Sequence, residues 1–248
     1  MERKPIVITG LILLLAAPIA QAAELIQNGG FEDNGGLGSG TFAGWTVYTQ
    51  PGSGGVLDVQ TGTQSPLRGV TVEAPPEGSF AAMTDQNSRG AYVLYQDITV
   101  PADAATVSFS AQVYINSAAS DFVSPATLDY TAGPNQQFRV DIVDPTAGPQ
   151  DLGAAVLENL FLTSPGDPTL QPYQTLTADL SAYAGQTVRV RFAETDNQLF
   201  FNAGIDAVSV RTTSDARSIP TTGFWAGITL SLMIGLAGLA GMRRRMRG

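Results

Sequence analysis

The stretch from Thr106 to Ile115, TVSFSAQVYI, decides how this chain folds. Val107, Phe109, Ala111, Val113 and Ile115 alternate with Ser108, Ser110, Gln112 and Tyr114. Successive side chains of an extended strand point to opposite faces, so the apolar set shares one face, whereas a helix would scatter it. The same period of two returns in FRVDI, where Phe138, Val140 and Ile142 coincide, and in VRVRFAETD, where Val188, Val190 and Phe192 oppose Arg189 and Arg191. Further strands are predicted at 25–27, 45–49, 56–60, 80–83, 92–100, 156–162, 173–179 and 205–211. Links rich in Gly, Pro, Asn and Asp separate them, and only LSAYAG (180–185) hints at a helical turn. Many short strands without a long helix predict an all-β fold, an antiparallel β-sandwich over 23–211.

The two ends are different in kind. Arg3 and Lys4 precede an apolar run from Ile6 to Ala20 that is short for a bilayer, followed by Ala20-Gln21-Ala22. That is the pattern of a secretory signal peptide, assigned to 1–22. From Phe224 to Met242 there are 19 uncharged residues, enough for a helix of roughly 28 Å and a transmembrane span. Arg243, Arg244, Arg245 and Arg247 follow, so the C-terminus is expected on the cytoplasmic side. Residues 212–218, TTSDARS, read as a polar linker.

Composition excludes several functions. Between Ala23 and Ser218 there are 21 acidic side chains against 7 arginines and no lysine, a net charge near −14. Nucleic acid is therefore a poor partner. The chain has no Cys and no His, which rules out a disulfide framework, Ser-His-Asp and Cys-His catalysis, and His-ligated zinc. A carboxylate pair is the catalytic option that remains: Glu194 and Asp196 lie two apart, on one side of a strand at roughly 7 Å. DQNSRG (85–90) starts like a calcium loop but puts Arg89 at a ligand position and Gln96 at the twelfth, so it is read as a turn.

Ser218-Ile219-Pro220-Thr221, Trp225, the glycine-rich apolar helix and the terminal arginines resemble the IPTL-CTERM sorting signal, a relative of PEP-CTERM, over 219–248. Thr222 stands where that motif has leucine. The resemblance implies Gram-negative export, recognition of Ile219, Pro220 and Thr221 by an exosortase-type peptidase, and an association with extracellular polysaccharide. NGGFED (28–33), GW (44–45) and GIDAVSV (204–210) are similar to galactose-binding-like jelly rolls, among them many carbohydrate-binding modules. Such modules imply a structural calcium between the first and last strands and, often, a glycan ligand.

Two sets of candidate residues follow. If Asp206, Val208 and Val210 share an inward face, Asp206 is an inward charge that needs a partner. With Glu32 from the N-terminal motif it would supply hard oxygen ligands to calcium, unless it merely caps a loop. Tyr95 and Tyr114, expected on outward faces, and Trp45 at a loop edge would stack on sugar rings, although Trp45 equally suits a core position. The leading expectation is an exported, non-catalytic glycan-binding or matrix protein. A purely structural or adhesive protein, and a glycosidase or polysaccharide lyase, are the alternatives.

Overall fold

In the computed structural model, residues 22–214 are described and make up one β-sheet unit. In chain order its strands are β1 (Ala22–Glu24), β2 (Thr46–Thr49), β3 (Gly55–Gln60), β4 (Ala81–Gln86), β5 (Gly90–Thr99), β6 (Ala104–Ser117), β7 (Gln136–Val143), β8 (Val156–Leu162), β9 (Leu170–Asp179), β10 (Thr187–Asp196) and β11 (Phe201–Ser214). They form two antiparallel sheets. One runs β3-β4-β11-β6-β9, with β1 added to the free end of β11; the other runs β2-β5-β10-β7-β8. Helical structure among the described residues amounts to single 3-10 turns at Gly153–Ala155 and Ser181–Tyr183, the second within LSAYAG. The expected all-β sandwich is therefore the fold.

The alternation explains the core. Val107, Phe109, Ala111, Val113 and Ile115 of β6 meet Phe138, Val140, Ile142, Val188, Val190 and Phe192 of the other sheet in one apolar cluster. Burying a large side chain of this kind contributes roughly 1.5–3 kcal/mol. At the centre of the second sheet the outer face is covered as well: every residue of β7 is buried, and only Thr187 of β10 is not. Leu128, in the β6–β7 connection, packs on Val93 and Ala193 from outside. Residues between β3 and β4 do the same for the first sheet, where Val72 joins Met83 and Tyr114.

The first and last strands differ most from the sequence expectation. The first strand lies at Ala22–Glu24, paired with Arg211–Thr213, rather than at 25–27. The cause is Glu24, whose carboxylate accepts the Ile26 N–H at 3.0 Å and so takes that donor away from a strand ladder. At the other end β11 continues to Ser214, with Thr212 and Thr213 opposite Val107 and Thr106, so the expected linker gives its first three residues to the sheet. Within β11, Asp206 is opposite Gln112 but Ser209 is opposite Ser110, a register shift that places a bulge at Ala207 (φ 49°).

Among the described residues no helix is long and apolar enough to cross a membrane. The signal segment up to residue 21, the motif Ile219-Pro220-Thr221, the apolar run 224–242 and the arginine cluster lie outside the described residues.

Candidate functional site

The bulge changes the reading of Asp206. One extra residue reverses the alternation, so Val208 and Val210 point into the core while Asp206, opposite Gln112, lies on the outer face. It is nevertheless fully buried, because the β3–β4 connection closes over it. Asp206 Oδ2 accepts the Glu77 N–H at 3.2 Å and Oδ1 accepts the Ala207 N–H at 2.7 Å. Glu32 Oε1 accepts the N–H groups of Ser79 and Phe80 at 2.8 and 2.9 Å. The same short loop is thus tied to both expected carboxylates, and it brings a third, Glu77, that sequence reasoning missed. Burial pushes the Asp206 carboxyl up to about 7; the two N–H donors pull it down, and Glu77 and Glu32 add repulsion.

Glycine makes this close approach possible. A Cβ at Gly30 would stand 2.2 Å from Glu77 Oε1, and one at Gly78 (φ 57°) would stand 2.2 Å from Glu32 Oε1. No three Asp or Glu side chains among the described residues converge into a ready-made metal cluster, so a cation here would draw on backbone carbonyls as well. The hard oxygen donors and the uncompensated charge on Asp206 fit calcium on those terms.

The expected aromatic platform is dispersed. Trp45 is a core residue: it packs between Phe31 and Phe192, with ring centroids at 5.4 and 6.1 Å, and its Nε1–H donates to the Asn28 carbonyl at 3.1 Å. Tyr114 is on the outer face as expected, yet only 3% exposed, because Tyr173 and Val72 cover it. Neither ring face is open to a ligand. Tyr95 alone of the three is partly exposed. The Arg189 guanidinium sits 4.0 Å from its ring centroid, fixed by bonds of 2.6 and 3.0 Å to both oxygens of Asp97. Tyr95, Asp97, Thr46, Thr99, Gln27 and Gly44 line an open depression of about 390 Å³.

Glu194 and Asp196 do share a side, as their spacing predicts, but that side is the gap between the sheets. Glu194 is 1% exposed and Asp196 2%. Glu194 Oε2 takes the Gln86 amide at 3.1 Å, while Glu194 Oε1, Asp196 Oδ1 and the buried Tyr92 hydroxyl have no hydrogen-bond partner among the described residues. Burial first, and then the Asp196 charge, hold the Glu194 carboxyl well above the usual range; burial lifts Asp196 to about 8. Burial together with the two nearby carboxylates also raises the Tyr92 hydroxyl, so it is no base at neutral pH. DQNSRG is a turn as expected, running from Asp85 and Gln86 at the end of β4 in one sheet to Gly90, which opens β5 in the other.

No protein-family model matches the chain, and neither does any curated protein. Among solved structures it is similar to the K3 cleaved adhesin domain of Lys-gingipain from Porphyromonas gingivalis W83 (14% identity, TM-score 0.45, 77% of this chain and 99% of that one). It is also similar to a Stig cyclase from Fischerella sp. TAU (17%, 0.45, 79% and 100%) and to TmCBM61 in complex with β-1,4-galactotriose (10%, 0.42, 76% and 97%). These neighbours include an adhesin domain, a cyclase and a sugar complex, at identities too low to transfer any of those roles.

Proposed function

We propose that this chain is an exported, non-catalytic β-sandwich protein that binds glycan or extracellular polymer at the cell envelope. Tyr95 carries the reading: an aromatic ring partly open to solvent, immobilised by Arg189 and flanked by hydrogen-bonding side chains in an open depression. Such a ring loses little freedom on binding, and the part of it that the guanidinium leaves exposed would give apolar contact to a sugar. Glu32 and Asp206, completed by backbone carbonyls, would hold a calcium ion, which would supply the positive charge that these carboxylates lack and so clamp the β3–β4 connection onto β11. Residues 1–22 would direct export, and 224–242 with the arginines would anchor the chain with its C-terminus cytoplasmic. An exosortase-type peptidase acting near Ile219-Pro220-Thr221 would then release it to the surface or matrix.

A catalytic reading gains little, since Glu194 is sealed between the sheets and half bonded to Gln86. The test is a glycan array probed with wild-type protein and Tyr95→Ala, each with and without chelator. Binding to a polysaccharide that weakens roughly tenfold in Tyr95→Ala is expected; no binding to any glycan would leave a purely structural matrix protein.

A further inference from the structure

We propose that the loop-end depression beside Asp196 binds the carboxylate of an acidic sugar residue, gripped by Arg68 and Arg89. The proposal deepens the glycan-binding reading and rests on it.

The depression holds about 240 Å³ and is built from three loops: Arg68 from the β3–β4 connection, the β4–β5 turn with Arg89, and the β10–β11 turn at 197–200. Four of the six described arginines, Arg139, Arg189, Arg191 and Arg211, are paired with a carboxylate. Arg68 and Arg89 have no ion-pair partner among the described residues, although the chain carries 22 acidic side chains. Each instead lies over an aromatic ring, Arg68 over Phe200 at 5.9 Å and Arg89 over Tyr130 at 5.6 Å. A guanidinium stacked in this way keeps its N–H edge for an anion, and its planar fork suits a planar carboxylate.

Both arginines stand on anchored backbone. The buried Asp85 carboxylate accepts the N–H groups of Leu67 and Arg68 at 2.9 and 2.7 Å. On the other side, Gly54 accepts the N–H groups of Asn87 and Ser88 and donates its own to the Arg89 carbonyl. The cations are therefore positioned before a ligand arrives, which lowers the entropic cost of binding. Leu199, 57% exposed, and Phe200 add apolar surface for the sugar ring itself. Asp196 in the lining would repel an anion if ionised, but burial raises its carboxyl to about 8 and raises that of its neighbour Glu194 as well, which disfavours their charged forms at neutral pH.

Titration calorimetry of the full-length chain in mild detergent tests this, with tetragalacturonate and its carboxyl-reduced neutral counterpart as probes. Wild type should bind the acidic tetramer at least roughly tenfold more tightly than the neutral one, and Arg68→Gln or Arg89→Gln should each remove most of that preference. Both arginines are exposed, so the variants should melt with wild type. Equal affinity for the two tetramers, or arginine variants that keep the preference, would overturn the carboxylate pocket while leaving glycan binding intact. Tighter binding of a sulfated tetramer would overturn the carboxylate assignment. Absence of binding to either tetramer and to every glycan on the array would remove the glycan reading itself.

Discussion

Strand β10 carries buried charge on both of its faces and treats it in opposite ways. On the outer face, Arg191 is wholly buried yet donates to Asp141 at 2.7 Å, and Arg139 holds the same carboxylate through bonds of 2.7 and 2.8 Å. Arg189 pairs with Asp97 two residues along the strand. On the inner face, Glu194 and Asp196 have no cation partner among the described residues. Arginine forks satisfy a buried carboxylate as an ion, while a carboxylate without one is held neutral by its surroundings. The same strand therefore contains charges that stabilise as ions and acids that stabilise only while protonated.

Breaking the outer network should give the largest effect. Asp141→Ala leaves Arg191 buried with only the carbonyls of Pro149 and Asp151, at 3.1 and 2.7 Å. Removing one partner of a buried pair costs about 3–5 kcal/mol, which urea unfolding at pH 7 would register as a lower midpoint. A loss below about 1 kcal/mol would mean that Arg191 escapes to solvent in the variant.

The inner face sharpens the contrast through pH. Folding raises both acids, so the stability they permit is complete below the unfolded carboxylate range near 4 and is lost as pH climbs through about 8. Asp206, raised to about 7 beside Glu77 and Glu32, acts in the same direction. Wild type should be less stable at pH 9 than at pH 5. Asp196→Asn removes the ionisation and should recover on the order of 2 kcal/mol at pH 9, with little change at pH 5. Parallel midpoints for the two proteins across that range would show that the pair is solvated.

The inner faces of the sheets were legible because alternation records burial directly, and the shared side of Glu194 and Asp196 came with it. What alternation cannot show is an added residue: Ala207 carries no chemical mark of a bulge, yet it moves Asp206 to the opposite face. Nor does local pattern say what covers a face. Tyr114 alternates outward as expected and is buried all the same, because Val72 and Tyr173, from distant parts of the chain, fold over it. Glu77 joins Glu32 and Asp206 by the same route, through a loop more than a hundred residues from β11. The Arg68–Arg89 depression is likewise an assembly of separate loops, and nothing in the local pattern marks its two arginines as those without an ion-pair partner among the described residues.

The smallest effect expected is at Arg211, and it closes the comparison between depths. Arg211 reaches Glu24 at 3.3 Å, but the two side chains are 73% and 38% exposed. Water and salt screen such a pair, and holding two long side chains together costs rotamer freedom, so exposed pairs contribute about 0–1 kcal/mol. Glu24 also has other work: Oε1 accepts the N–H groups of Ile26 and Val210 at 3.0 and 2.8 Å, and Oε2 accepts the Ser209 hydroxyl. Those bonds fix the exit from β1 without the arginine. Arg211→Gln should therefore shift the unfolding free energy by less than about 0.5 kcal/mol, whereas Asp141→Ala, removing the same kind of partner at full burial, should exceed it several-fold. Urea midpoints of the two variants measured side by side decide the matter. Equal losses would show that depth is not what separates the two pairs, and that β1 depends on its ion pair rather than on the carboxylate's bonds to the backbone.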